Sequence, residues 1–277
     1  MIKVRAPAKI NLGLKVEGKR FDGYHLLDTI YASIDLYDYL EIYKTNNSSI
    51  CIESNSTEIP LDGANLIIKA LKSVGIDGGL SIILKKRIPV GGGLAGGSAD
   101  AAAILRILPR LGINLSPEEL KRVALSLGAD VYYCYIGKVQ RGTGIGENLR
   151  EIKTKSLPKI AILPQKISCS TEEVFKKYSQ MRKNNYNGDL DLVEAGLAKG
   201  DFSMVDRNID NSLEVAIFKL YPKLKETVQH LRNHNLNIQI SGSGSSLYMV
   251  LKDEHDIIKL KKIYEEELIV CNIVNNR

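Results

Sequence analysis

The chain contains no tryptophan, and its aromatic content rests on 13 tyrosines against 4 phenylalanines, still enough for a core and a stacking site. Cysteine is scarce too. Cys51, Cys134, Cys169 and Cys271 lie far apart and form no CxxC pair. That spacing suggests neither a zinc site nor a disulfide framework and leaves reduced thiols as the default. No run of 18 apolar residues occurs, and the opening MIKVRAPAKINLGLK carries Lys3, Arg5 and Lys9 within any would-be apolar core. Neither a membrane span nor a signal peptide is expected, and the expected compartment is cytoplasmic. Blocks of like charge are missing as well. The formal charge is +6 at pH 7, spread along the chain. That excess reads as solubility and suits small anionic substrates such as nucleotides better than a nucleic acid or a membrane.

The 277 residues, 44% hydrophobic and 25% charged, are ordinary for a soluble globular protein and comfortable for two domains. Strand patterns cover residues 10–16, 26–42, 50–53 and 80–84, with Asp22-Gly23 as the turn between the first two. Residues 65–74 fit a helix with Leu66, Ile67, Ala70 and Leu71 on one face. Ser116 as N-cap, Pro117 at the first position and Glu119 closing a capping box start another, which should stop at Gly128 in the left-handed cap position. A tyrosine-rich strand should then lead into a second glycine cluster, Gly142-Thr143-Gly144-Ile145-Gly146. A new pattern begins near residue 157: a strand over 160–163, helices, a polar loop over 181–189, and strands 237–240 and 247–251 around Ser241-Gly242-Ser243-Gly244-Ser245-Ser246. The class is α+β, with a boundary near residues 150–157.

One stretch stands out: Pro89-Val90-Gly91-Gly92-Gly93-Leu94-Ala95-Gly96-Gly97-Ser98-Ala99-Asp100-Ala101-Ala102-Ala103. Its five glycines let successive backbone N–H groups face one concavity. A helix over residues 99–111 with Ser98 as N-cap would aim its positive end at the same spot. A flexible loop against a rigid helix is the build of a phosphate site; the other reading is a tight turn whose glycines serve close packing. The Walker pattern GxxxxGK[ST] is absent. Asp100 in the first turn suits the dipole, but beside phosphates it would need a cation, so Ser98 and Asp100 hint at Mg²⁺.

Two further residues carry weight. Lys9 starts a strand that should be largely buried, where a lysine can snorkel to the surface. Asp130 follows the helix terminator Gly128, where an unfavourable dipole asks for a cation, unless it is a solvated turn acid.

With Ala6-Pro7-Ala8-Lys9-Ile10-Asn11-Leu12, the glycine loop and Ser241-Gly242-Ser243-Gly244-Ser245-Ser246, the chain resembles the GHMP kinases, the superfamily of galactokinase, homoserine kinase and mevalonate kinase. Residues 7–29, Leu127-Gly128-Ala129-Asp130-Val131 and Gly144-Ile145-Gly146-Glu147 make it similar to the branch that phosphorylates the 2-hydroxyl of a CDP-linked methylerythritol with ATP. The resemblance implies an N-terminal ribosomal-S5-like domain over 1–155, a ferredoxin-like domain over 156–277, and an active site in the cleft between them. It implies Lys9 and Asp130 as the catalytic pair, residues 89–99 with Asn65 and Lys86 on ATP, and Asn11, Gly242 and Ser243 on the acceptor. Tyr24, His25 and Phe175 would hold cytosine; read from its neighbours alone, Phe175 is a helix core residue. ATP and Mg²⁺ would be required, and the enzyme would be a monomer or weak homodimer. The family commonly has proline where this chain has Tyr132. Another GHMP kinase, such as one for a mevalonate-type acid, and a non-catalytic nucleotide-binding protein remain the alternatives.

Overall fold

The structure is a computed structural model and describes residues 1–181 and 186–275. The first half contains β1 (Ile2–Lys19), β2 (His25–Lys44), β3 (Ile50–Ser54), α1 (Leu66–Lys72), β4 (Leu80–Lys85), α2 (Gly96–Ile107), α3 (Pro117–Leu127), α4 (Ala129–Ile136), β5 (Val139–Gly144) and β6 (Asn148–Glu151). The second contains β7 (Lys159–Leu163), α5 (Thr171–Ser179), α6 (Leu190–Lys199), α7 (Phe202–Asn208), α8 (Glu214–Leu220), α9 (Pro222–Asn233), β8 (Gln239–Ile240), β9 (Leu247–Leu251), α10 (Glu254–Ile263) and β10 (Ile269–Asn272).

Six strands form the first sheet, built on the β1–β2 hairpin, while the second sheet has four strands in the order β10-β7-β9-β8. Counted along the second half, that order is 4-1-3-2, the ferredoxin-like arrangement. The sheets change over between Glu151 and Lys159. The apolar cores do not divide there. The larger cluster takes Ile160, Ile162, Val193 and Val250 from the second half, and the smaller takes Leu14 and Val16 from β1.

β1 explains that sharing. Residues 6–14 are buried without alternation, so both faces of the strand are covered. α2 packs on β1. From the other half, Tyr248 donates its hydroxyl to the Asn11 carbonyl at 2.7 Å, and Leu14 N–H donates to the Asp210 carbonyl at 2.9 Å. The β1–β2 register shifts between Pro7 and Lys9 and again between Asn11 and Leu14. Bulges re-aim side chains, and here they bracket Lys9 and Asn11.

Several local expectations change. α2 begins at Gly96 rather than Ala99, with Ala95 as a left-handed N-cap (φ 57°, ψ 33°) and no capping side chain. Ser98 is therefore inside the first turn and is not the N-cap. The helix ends at Ile107 and tightens into a 3-10 turn over Leu108–Leu111. Alanines 99 and 101–103 are wholly buried, and their small side chains let α1, α4 and β1 close on α2. Ser116 and Glu119 do form the capping box of α3. Gly128, however, sits at φ 157°, ψ 154°, not in the left-handed cap, and at once becomes the N-cap of α4. The tyrosine-rich stretch is thus a helix, not a strand. Burial of Val131, Tyr133 and Cys134 against α2 and α3 outweighs the strand preference of its side chains. The polar loop expected over 181–189 lies partly outside the described residues.

Candidate active site

A cleft of about 1140 Å³ lies where β1, the β1–β2 hairpin tip, the glycine loop, α4, α5 and the 241–246 loop meet. It is lined by Lys9, Asn11, Tyr24, His25, Asn65, Lys86, Ser98, Asp100, Asp130, Phe175, Gly242 and Ser243. Pro89, Val90, Gly91, Gly92, Gly93, Ala95, Gly96 and Gly97 line it too. Leu94 and Ala99 do not; both are fully buried core residues. Leu94 contributes its carbonyl, which accepts from Lys9 N–H at 3.0 Å and ties the loop to β1.

The glycine loop is packed from behind. Gly92 O accepts from Ser246 N–H, and Gly93 O accepts from the Ser241 hydroxyl, both at 3.0 Å. A Cβ on Gly93 would come within 2.8 Å of Gly244 O, and Gly93 has φ +72°. A Cβ on Gly92 would come within 2.5 Å of Ser246 Oγ. The 241–246 loop therefore presses directly on the glycine loop, so glycine is required for close approach of two backbones. The close-packing reading of the motif is met, and the loop leaves a free helix end beside it. Carbonyls 91–94 point into the fold, and the uncapped N-terminal turn of α2 faces the cleft, an arrangement suited to an anion.

Lys9 and Asp130, far apart in sequence, meet: Nζ lies 3.5 Å from Asp130 Oδ2. The lysine does not snorkel; its side chain is 6% exposed, against 33% for the aspartate. Its ammonium also donates to Asn11 Oδ1 at 2.8 Å and stands 5.5 Å over the Tyr31 ring. Asn11 Nδ2 donates to Thr29 Oγ1 at 2.8 Å, so the amide is held at both ends. Asp130 lies in the first turn of α4, where a carboxylate is favourably placed against the dipole. The unfavourable dipole expected from the end of α3 is thus replaced by a favourable one. Gly242 sits over this group: a Cβ there would be 3.2 Å from Asn11 Oδ1 and 3.5 Å from Lys9 Nζ. Ser243 Oγ is 2.7 Å from Thr171 Oγ1.

Lys86 is buried between two carboxylates. Its Nζ donates to Asp38 Oδ2, and to Asp100 Oδ2 at 2.8 Å. Asp38, wholly buried, also accepts from Arg87 N–H and Ile88 N–H at 2.6 and 2.9 Å. It thereby pins the segment entering the glycine loop. Burial pushes Asp100 up to about 7 against the opposing pull of the Lys86 ammonium, with Asp38 adding to the rise. Burial lowers the Lys86 ammonium, but Asp100 and Asp38 together hold it above its ordinary value. Asp100 Oδ1 is buried with no partner among the described residues. Asn65 caps α1, accepting from Ile67 N–H at 2.9 Å and donating to the Pro60 carbonyl at 2.7 Å, so much of its hydrogen-bonding capacity is spoken for.

At the hairpin tip, the His25 and Phe175 rings lie 5.0 Å apart, and His25 Nε2 is 2.8 Å from Ser179 Oγ. Partial burial, then the nearby Lys19, lowers the His25 pKa from its ordinary value. Phe175 packs against the smaller core and also reaches the cleft. Tyr24 is 59% exposed beside them.

Sequence reasoning missed Asp38, Thr29 and Tyr31. Asp38 falls in phase with inward-facing Leu36, Leu40 and Ile42 on β2, and an acid at a core position of a strand was a usable signal. Tyr31, stacked on Tyr133 at 4.5 Å, explains part of the second glycine cluster. A Cβ on Gly142 would meet its ring at 2.6 Å.

Comparison with known proteins adds to this geometry. The family described as GHMP kinases N terminal domain matches residues 64–138, and GHMP kinases C terminal matches residues 183–269. The 4-diphosphocytidyl-2-C-methyl-D-erythritol kinase of Thermoanaerobacter pseudethanolicus is 38% identical over 273 residues, covering 96% of this chain and 91% of its own. The Bacillus pumilus protein of the same name is 36% identical over 266 residues, covering 94% and 90%. A crystal structure of 4-(cytidine 5'-diphospho)-2C-methyl-D-erythritol kinase superposes with a TM-score of 0.80 at 29% identity, covering 99% of this chain and 100% of the other. A homoserine kinase from Cytophaga hutchinsonii, at 20% identity and TM-score 0.74 over 99% and 94% of the two chains, shares the fold.

Proposed function

Since the chain belongs to the GHMP kinases, we propose that it transfers the terminal phosphoryl group of ATP to the 2-hydroxyl of 4-diphosphocytidyl-2-C-methyl-D-erythritol, giving the 2-phosphate and ADP in non-mevalonate (MEP/DOXP) isoprenoid precursor synthesis. The observation that carries this reading is one cleft holding the Lys9–Asp130 pair, an uncapped helix N-terminus behind a glycine loop, and the His25–Phe175 aromatic pair.

Asp130 orients the acceptor hydroxyl and takes its proton as the acceptor oxygen bonds to phosphorus and the bond to ADP breaks. Lys9 balances the carboxylate and the charge near the transferring group, and Asn11 keeps Lys9 aimed. Little covalent chemistry is asked of the protein, so most of the rate comes from positioning and fixed charge. The loop over residues 89–98 cradles the phosphates, with Asn65 and Lys86 alongside, while Asn11, Gly242 and Ser243 border the acceptor. Tyr24, His25 and Phe175 select cytosine by stacking and by the imidazole edge.

A magnesium ion fits the phosphate region. Among the described residues no group of three or more His, Cys, Asp or Glu could cage a metal. Mg²⁺ on a nucleotide, however, needs only one or two protein oxygens besides phosphates and water. The unpartnered Oδ1 of Asp100 and the Ser98 hydroxyl would hold it, and bound there the ion would neutralise phosphate charge. The reading carries with it a cytoplasmic enzyme acting on small molecules, as a monomer or weak homodimer; no described helix is long and apolar enough to cross a membrane.

The test is coupled ADP release with ATP, Mg²⁺ and a panel of alcohols. Turnover is expected with the CDP-linked methylerythritol alone. Turnover with mevalonate and none with the cytidine compound would move the chain to another branch of the superfamily. No turnover with any acceptor, with nucleotide still bound, would leave a nucleotide-binding protein.

A further inference from the structure

A second pocket, of about 550 Å³, opens at the β1 edge of the first sheet and is lined by residues the proposed reaction does not use. Its walls include Lys3, Arg5, Arg106 and Arg110, with Tyr37 and Tyr39, and Glu41 as its one carboxylate. The strand register produces this collection. Lys3, Arg5 and Pro7 stand directly opposite Glu41, Tyr39 and Tyr37, so one face of the β1–β2 ladder carries the charges and the rings.

Each cation there is in a different condition. Lys3 is neutralised by Glu41 at 2.9 Å. Arg5 has its guanidinium 4.7 Å from the Tyr37 ring centroid, a contact that orients the plane without using its N–H donors. Arg106 donates Nη2 to the carbonyls of Cys134 and Tyr135 at the end of α4, while its Nε is buried with no partner. Among the described residues neither Arg5, Arg106 nor Arg110 has a carboxylate within ion-pair distance, unlike Arg141, Arg150 and Arg232. Burial lowers the Arg106 pKa, as expected for a desolvated cation offered only carbonyls.

We propose that this pocket is a second anion site, separate from the cleft, that takes a small phosphate- or diphosphate-bearing molecule. Guanidinium forks match phosphate oxygens bidentately, and one held on a ring loses less freedom on binding. A concave space of this size fits a small molecule rather than a membrane surface or a duplex. The same Arg106 holds the far end of α4, whose first turn carries Asp130, so an occupant touches the helix that positions the reaction.

The experiment is calorimetric titration of the full chain with inorganic pyrophosphate, the cleft being saturated with a non-hydrolysable ATP analogue. One remaining pyrophosphate site is expected. It should weaken at least tenfold when the exposed Arg5 and Arg110 are changed together (R5Q with R110Q), with kcat unchanged, and sulfate should bind at least tenfold more weakly than pyrophosphate. R110Q alone serves if the double variant is unstable, since this side chain lies on an exposed turn. The proposal falls if pyrophosphate binding disappears once the cleft is filled, if it is unaltered in the variants, or if sulfate binds equally well.

Discussion

The two parts of the cleft proposed to take phosphate and base are built in opposite ways. The phosphate region is backbone set against backbone. The glycine loop is backed by Ser241, Gly244 and Ser246, and Asp38 pins the segment leading into it. Its Lys86 is buried in a triad with Asp38 and Asp100. The base region is made of side chains on a hairpin tip and a helix face, with Tyr24 largely exposed and His25 only partly covered. Fixed dipoles and held charges lower a barrier because they need no rearrangement when charge develops. Exposed rings choose among acceptors and tolerate adjustment. Rate should therefore depend on the first region and selectivity on the second.

Four experiments sharpen or break that contrast. The largest effect is expected from Asp130→Asn, which should lower kcat by on the order of 10²–10⁴-fold with ATP affinity nearly unchanged. Steady-state kinetics with nucleotide titration measures both, and undiminished turnover would remove Asp130 from the reaction. Phe175→Ala should raise KM for the cytidine substrate by roughly 5- to 150-fold, corresponding to about 1–3 kcal/mol of stacking, with KM for ATP unmoved. Equal effects on the two KM values would show that the regions are not separable.

Gly93→Ala should destabilise the fold by about 1–3 kcal/mol, because its Cβ meets the 241–246 backbone at a positive φ. In Gly97→Ala the Cβ would meet only Leu66 Cδ1 at 3.6 Å, and it should stay within about 0.5 kcal/mol of the parent in chemical denaturation. Similar losses in the two would mean that contact between the loops does not set the requirement for glycine.

The smallest effect is a slope. Burial raises Asp100 from 3.8 to about 7, so between those values the folded chain keeps a proton that the unfolded chain has released. Stability from this group therefore falls as pH rises through that window. Thermal midpoints at several pH values should show the parent losing ground to Asp100→Asn as pH climbs; a constant difference would contradict a protonated Asp100.

Much of this was legible in the sequence. The first strands, the Asp22-Gly23 turn and the Ser116 capping box are local, and each appears near its expected place, although β1 is buried on both faces where alternation was expected. The glycine loop was visible as a flexible segment set against a helix. The start of α2 was not, since Gly96 and Gly97 have low helix propensity and are drawn into the helix by tertiary packing. The helix of α4 was misread because its tyrosines and valine favour strands until α2 and α3 bury them.

By itself the sequence determined the motifs, the α+β class and which residues had to be weighed, because these follow from short-range preferences and residue chemistry. Only the tertiary structure decided which of those residues meet. Lys9 comes from β1 and Asp130 from the first turn of α4, and bulges in one element and the glycine between two helices bring them to 3.5 Å. Asp38 shows the same limit: on β2 it is one acid among many, and it matters only because the chain returns to it with Lys86, Arg87 and Ile88. Partnerships across such distances follow from how elements pack, and no local pattern encodes them.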